Sequence, residues 1–376
     1  MTDPVMPPVE LPADLAQQHN PYSFLNRVRE TAPVVPIRWR DGFDAWMVTR
    51  YDLCRAALSN PALSHDQLHE GSDAPEHNRL RALVQPAFTT RAVRGHTEMI
   101  RQHADRLLGG LDGPVDLIEV LEGLTYAVIG DLIGVPSADR HLLRSWAHAE
   151  FGLVKDAPSA QAVYQAYQCF ADYLCDLIAE RRQHPDGTLL GAIATRSPES
   201  YPDLQVAAEL FAAGGYTTVA LLGNGLLAQL CNPDQMTQLR EDPGLLPAAF
   251  DEFLRFDGVL LERHVLTTAE VDIAGTRIPA GSVLLLCLGS ANRDPRHFPS
   301  PDKLLVTRNP NDHLGLGWGI HFCLGTHLAR QISTTIFRTL LSRYSTIDLT
   351  TPPTDLRRTP STLRRLDALP VLLHRP

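Results

Sequence analysis

The chain has 376 residues, 44% of them hydrophobic, and a formal charge of −9. That balance argues against nucleic acid as a partner. No apolar run reaches the ~18 residues of a membrane span, and the first residues, MTDPVMPPVELPAD, lack the basic and apolar regions of a signal peptide. The six cysteines, at 54, 169, 175, 231, 287 and 323, do not follow a disulfide-framework spacing and read as reduced. A cytoplasmic protein with no membrane span is expected.

Residues 1–19 read as a loose leader. A short helix is expected over Pro21–Thr31, followed by strand-like Val34–Trp39 and Ala45–Thr49 around the turn Arg40-Asp41-Gly42. His77 and Arg81 follow, four apart and hence on one helix face. Cationic donors paired in this way suit a carboxylate. Helical periodicity then dominates from Arg79 to about Arg343, with helices expected over Arg140–Phe151, Gln161–Arg182 and Thr188–Thr195. Tyr164, Tyr167, Phe170 and Tyr173 drift around the second of these, and core packing is the expected role for most of them.

Leu204 to Leu230 reads as one long apolar helix containing Ala213, Gly214, Gly215, Tyr216, Thr217 and Thr218. Glycine inside a helix costs ~1 kcal/mol relative to Ala, so something must require this pair. Thr217 can bond back to the carbonyl of Ala213 and locally open the helix. Glu252 and Arg255, three apart, share a helix face. A second strand-like patch runs from Val265 to Leu288, with turns at Ala274-Gly275 and Ala280-Gly281. The segment Leu356–His374 reads as loop and short strand.

The densest pattern is His313 to Arg330, HLGLGWGIHFCLGTHLAR. Gly315, Gly317 and Gly319 permit backbone angles that other residues resist. Cys323 sits before a helix-like run from Thr326, where the helix dipole and free N–H groups favour a thiolate. Such a thiolate is a metal ligand or a nucleophile. The glycines do not form the dinucleotide fingerprint, and no second cysteine pair stands at zinc spacing.

Here the sequence resembles the bacterial cytochromes P-450, heme-thiolate monooxygenases. The matching positions are His313, Leu314, Gly317, Gly319, His321, Cys323, Gly325, Leu328, Ala329 and Arg330. Leu316 departs from the family's Phe, keeping apolar bulk beside the sulfur but losing the ring. The resemblance extends to Asp73–Arg81, to Ala213–Thr218, to Glu252 and Arg255, and to Ala291-Asn-Arg-Asp-Pro295 with Phe298 and Pro301. It covers the chain from about residue 20 to its end.

The resemblance implies a mainly α fold with a minor β-sheet region, a triangular helical prism, formed as a single domain over residues 20–376. It implies heme b (iron protoporphyrin IX) held by Cys323 as the metal ligand, in a loop shaped by Gly317 and Gly325. His77, Arg81, Arg263 and His321 would hold the propionates. Glu252, Arg255 and Arg308 would form a structural ion-pair cluster. Thr217 and Gly214 would shape the oxygen groove, with Tyr216 where the family has an acid. A Tyr, with pKa about 10, gives up a proton reluctantly, so either Tyr216 points away and water relays protons, or oxygen activation is rerouted. Ala213, Leu260, Leu261 and Thr362 would face a small-molecule substrate, with Thr359–Leu363 as the last substrate-facing loop. The helices between Asp139 and Gly191 would act as a lid. The stretch between Ser64 and Asp73 is shorter than usual, implying a shortened roof.

Hydroxylation or epoxidation of a natural product in secondary metabolism is the implied activity. Oxidative C–C or C–O coupling is an alternative that Tyr216 would favour, and a non-catalytic heme sensor is one from another class. A ferredoxin, with its ferredoxin reductase, would donate electrons to a monomer. Arg79, Arg91, Arg94, Arg330 and Arg338 are candidate docking cations.

Overall fold

The computed structural model describes residues 7–39, 42–65, 73–150, 160–196, 201–361 and 363–376. In chain order the first elements are β1 (Val9–Glu10), α1 (Tyr22–Thr31), β2 (Val34–Arg38), β3 (Asp44–Val48), α2 (Tyr51–Ala57), β4 (Leu63–Ser64), α3 (Glu76–Val84), α4 (Thr90–Gly95), α5 (Thr97–Leu108) and β5 (Gly113–Asp116). Then come α6 (Leu117–Ile133), α7 (Arg140–Glu150), α8 (Ala160–Gln183), α9 (Leu189–Arg196), α10 (Tyr201–Leu230), α11 (Pro233–Glu241) and α12 (Leu246–Phe256). The last are β6 (Arg263–Thr267), β7 (Val271–Ile273), β8 (Thr276–Ile278), β9 (Val283–Leu286), α13 (Leu288–Ala291), α14 (Thr326–Arg343), β10 (Thr346–Leu349) and β11 (Pro370–His374).

Helices α6 and α10 pack along each other at the centre. Both are apolar on most faces, which is the pattern of a helix enclosed by others. Asp116 caps α6 by accepting the Ile118 N–H at 2.9 Å, and Gly134 ends it in the left-handed conformation at φ +100°. The main hydrophobic core runs between α6, α8, α10, α12 and α14, through residues such as Leu121, Leu174, Leu222, Phe253 and Phe337.

A six-stranded sheet, in the order β1-β2-β3-β9-β6-β4, flanks this helical body. Strands β2 and β3 pair antiparallel in the expected hairpin, with Ile37 opposite Ala45 and Val35 opposite Met47. Arg40 and Asp41 of its turn lie outside the described residues. The second expected strand patch resolves into β6 to β9, turning at Ala274-Gly275 (φ +52° and +81°) and at Gly281 (φ +79°). Small β10-β11-β5 and β7-β8 sheets complete the β structure described.

The leader is not loose over its described part. Val9 and Glu10 pair parallel with Ile37 and Arg38, and Leu15 and Ala16 are buried. Its buried residues join α1 on one side of the sheet, in a cluster with Leu25, Val28, Ile37 and Met47. The stretch expected to form a shortened roof falls on residues 66–72, outside the described residues.

Candidate functional site

Two left-handed glycines shape the cysteine loop. Gly317 (φ +73°) and Gly319 (φ +71°) adopt angles that a side chain would strain. The Cys323 N–H donates to the Leu316 carbonyl at 2.8 Å, folding the loop back on itself. The Thr326 hydroxyl donates to the Cys323 carbonyl at 2.7 Å, where α14 begins. The loop is clamped from behind. Asn292 accepts the Leu314 N–H at 2.7 Å, and Asp251 receives both His313 (3.4 Å) and a two-pronged contact from Arg330 (2.6 and 2.8 Å).

Burial pushes the Cys323 thiol above its ordinary range, although the Gly325 N–H, Thr326 and Arg81 pull the other way. Desolvation thus outweighs the helix N-terminus. A cation bound to sulfur would reverse this balance.

Beside the cysteine lies a cluster of cationic and imidazole groups. The His321 ring stands 4.1 Å from that of His65 and 4.4 Å from that of His77. Arg263 donates to His65 at 3.4 Å, and Arg81 donates to the Ile320 carbonyl at 3.1 Å. Asp73 accepts the Ser64 hydroxyl and the His65 N–H. Burial, with His65, His77 and Arg263 nearby, pushes His321 down to about 3. Its Nε2 is buried without a hydrogen-bond partner in the protein. A buried polar atom of this kind requires a partner, and one set among positive groups suits an anion.

Four of these residues are the ones expected at the propionates. His65 was missed, because a lone histidine after a short strand carries no sequence signal. Asp251 and Asn292, which hold the loop, were missed as holders for the same reason.

On α10, Thr217 donates its hydroxyl to the Ala213 carbonyl at 2.6 Å, as expected. Ala213 is exposed and Thr217 half-buried, whereas the following turn of α10 is enclosed. The glycines have a different partner from the one expected. A Cβ on Gly215 would fall 2.3 Å from the Tyr126 ring, and one on Gly214 would fall 3.3 Å from Ile129. Packing against α6 therefore requires Gly215, whatever approaches the opposite face.

Tyr216 is 1% exposed and turned away from that opening. Ser361 lies near its phenol, the Arg365 guanidinium lies 5.2 Å from its ring centre, and burial raises its pKa.

Leu260 bridges to Leu363 and packs between the two larger cores. Leu261 does not face a substrate. It is 2% exposed and packs with Leu25, Val28 and Leu285 on the α1 side of the sheet. Thr362 lies outside the described residues.

Glu252, Arg255 and Arg308 meet in the core. Arg255 contacts Glu252 at 2.7 and 2.8 Å, and Arg308 does so at 3.0 Å. The remaining capacity of Glu252 takes the Leu305 N–H and Asn311. Arg255 also holds the carbonyls of Asn292, Pro301 and Lys303, binding the segment that leads into the cysteine loop.

Of the candidate docking cations, Arg91, Arg94 and Arg338 are exposed. Arg330 is instead committed to Asp251 and the Phe250 ring, and Arg79 contacts Glu76.

Among the described residues no three His, Cys, Asp or Glu side chains converge on a bare metal ion. A lone, half-buried cysteine beside an anion cradle fits a metal that brings its own equatorial donors and carboxylates. Heme has both.

A family profile described as Cytochrome P450 matches residues 203–367. Cytochrome P450 107B1 of Saccharopolyspora erythraea is 37% identical over 390 residues, covering 94% of each chain. The cytochrome P450 monooxygenase PikC of Streptomyces venezuelae is 36% identical, over 94% of this chain and 91% of its own. Among solved structures, Bacillus subtilis PksS superposes with a TM-score of 0.88 at 32% identity, covering 95% of this chain and 98% of that one.

Proposed function

Because this chain belongs to the cytochrome P450 family, an oxidoreductase that binds heme b through a cysteine thiolate, we propose that it hydroxylates or epoxidises a largely apolar natural product. The observation that carries the reading is the pairing of Cys323, in its glycine loop, with the buried and unpartnered His321 Nε2 beside it.

Cys323 would ligate the iron, and His321, His65, His77, Arg81 and Arg263 would take the propionates. Bound there, heme supplies the electron-transfer and dioxygen chemistry. The protein's own part is to hold, exclude and deliver. Glu252 and its arginines fix the segment feeding the cysteine loop. Ala213, Leu260 and Leu363 present apolar surface to the substrate. Thr217, its hydroxyl shared with the Ala213 carbonyl, stands where α10 opens and holds a proton at its Oγ1. Tyr216, turned toward Ser361 and Arg365, leaves that delivery to Thr217 and water.

The substrate class follows the relatives. Those named for their chemistry include a 6-deoxyerythronolide B hydroxylase and a mycinamicin IV hydroxylase/epoxidase. Helices α7 and α8 would cover the substrate as a lid. A redox partner supplies electrons, and an acidic ferredoxin suits the exposed Arg91 and Arg94 together with exposed Phe322 beside the cysteine.

Two measurements test this reading. The reduced carbon monoxide complex should show a thiolate-type spectrum that Cys323→Ala abolishes. Metabolites of cells with and without the gene should differ by a product one oxygen heavier than its precursor. A product lighter by two hydrogens would overturn the oxygenase reading in favour of coupling or desaturation.

A further inference from the structure

Helix α7 meets its neighbours with two chemically different faces. Trp146 packs its ring 5.5 Å from Phe170 and 5.9 Å from Tyr173, both on α8. The face toward α6 is charged. Arg140, Arg144 and His148 recur every four residues, so they form one stripe. Arg140 pairs with Asp131, near the far end of α6. Arg144 contacts Glu122 at 2.8 Å, and His148 contacts the other oxygen of the same carboxylate.

Glu122 has a third partner that does not belong to α7. Arg365, from the C-terminal loop, donates to it at 3.1 Å. The Glu122 and Arg365 side chains are 6% and 7% exposed, whereas Arg144 is 39% and His148 24% exposed. Burial opposes the charge of Glu122, but His148, Arg365 and Arg144 together hold its carboxyl below the ordinary range.

This arrangement would tolerate a second, open state. If α7 swings out, Arg144 and His148 pass into water, which solvates them at little cost. Glu122 stays behind, and a buried carboxylate stripped of every partner would be strongly destabilising. Arg365 remains with it, so the open form does not incur that penalty. An apolar seam offers no equivalent. The α7–α8 contact is aromatic and would hold, while the α6–α7 contact is ionic and would part.

We propose that Glu122 is a positioning residue that latches α7 to α6 and sets how readily a molecule reaches the Cys323 site. The inference rests on reading α7 as part of the substrate lid. Arg365 also lies against Tyr216, so the latch sits directly behind the turn of α10 that carries Thr217.

The test uses the heme-loaded protein and 4-phenylimidazole, an azole whose binding to heme iron shifts the spectrum. Its association rate is followed by stopped flow. Arg144→Gln removes only the half-exposed partner and leaves Glu122 paired, so folding is kept. The azole should enter about five- to ten-fold faster, as expected for a charge-assisted hydrogen bond discounted for exposure. His148→Gln should act in the same direction, with heme content and melting temperature unchanged. Arg140→Gln, which breaks the α6–α7 pair away from Glu122, should stay within about two-fold of the parent. Unchanged entry in Arg144→Gln and in the double variant with His148→Gln would overturn the latch. So would equal acceleration by Arg140→Gln, which would mean general loosening of α7. Absence of any azole shift would overturn the heme reading itself, and the latch with it.

Discussion

The Thr217 hydroxyl donates to the Ala213 carbonyl at 2.6 Å, one turn back along α10 and at the point where the helix becomes accessible from inside. The bond occupies a proton that the helix backbone does not need, since the carbonyl already has its place in the ladder. A hydroxyl held in this way is positioned and remains exchangeable. Thr217→Ala should lower product formed per reducing equivalent by about ten-fold or more, the lower range for losing a positioned proton donor. The check is the ratio of product to reductant consumed, with hydrogen peroxide rising to balance it.

Tyr216 is expected to contribute packing. Its ring lies against Arg365 and Ser361 lies near its hydroxyl, away from the opening. Tyr216→Phe should leave turnover and coupling within about two-fold of the parent and change stability by no more than about 1 kcal/mol, since the ring that packs is kept. Denaturant unfolding and a coupling assay measure the two separately.

Glu252 is fully buried and accepts from Arg255, Arg308, Asn311 and the Leu305 backbone. Glu252→Ala would strand two guanidinium groups in the core. A loss of about 3–5 kcal/mol is expected, seen as heme-free or insoluble protein. Heme content per chain after expression gives the answer.

The anion cradle predicts a heme-retention phenotype. His321→Phe keeps the ring and removes the donor, so transfer of heme to an apo-globin acceptor should quicken about ten-fold or more. Arg263→Gln should act in the same direction.

Acid sensitivity should centre on Asp257. Burial pushes its carboxyl up, but Arg364 and Arg358, with hydrogen bonds from Arg364 and Tyr22, hold it well below the ordinary range. A depressed carboxylate stabilises the fold fully above its unfolded pKa, about 4. The contribution fades as pH falls below that toward the folded value. Melting temperature should therefore drop steeply below about pH 4. Asp257→Asn should melt lower at pH 7 and show a flatter acid limb.

Features that depend on local spacing were legible in the sequence. The alternating glycines before Cys323, the three-residue step from Glu252 to Arg255 and the polar turn between β2 and β3 each follow from backbone geometry. What escaped depended on partners far along the chain. Nothing near Gly215 indicates that Tyr126, 89 positions earlier, presses on its backbone. Nothing near Tyr216 reveals that Arg365 draws it away from the opening. The burial around Cys323 was not legible either, because the helix N-terminus is a local feature and burial is a global one. Leu261 escaped in the same way, because the residues it packs with, Leu25 and Val28, lie far along the chain on α1.

The contact between Gly215 and Tyr126 makes α10 one-sided. With an aromatic plate fitted against its backbone, the helix has no slack in that direction, and α6 and α10 act as a single slab. Any widening of the turn between Ala213 and Thr217 must then be expressed toward the opposite side. A residue larger than glycine at 215 would act as a wedge. It would drive that turn inward without touching any atom of the site, and shape there would change while chemistry stayed the same.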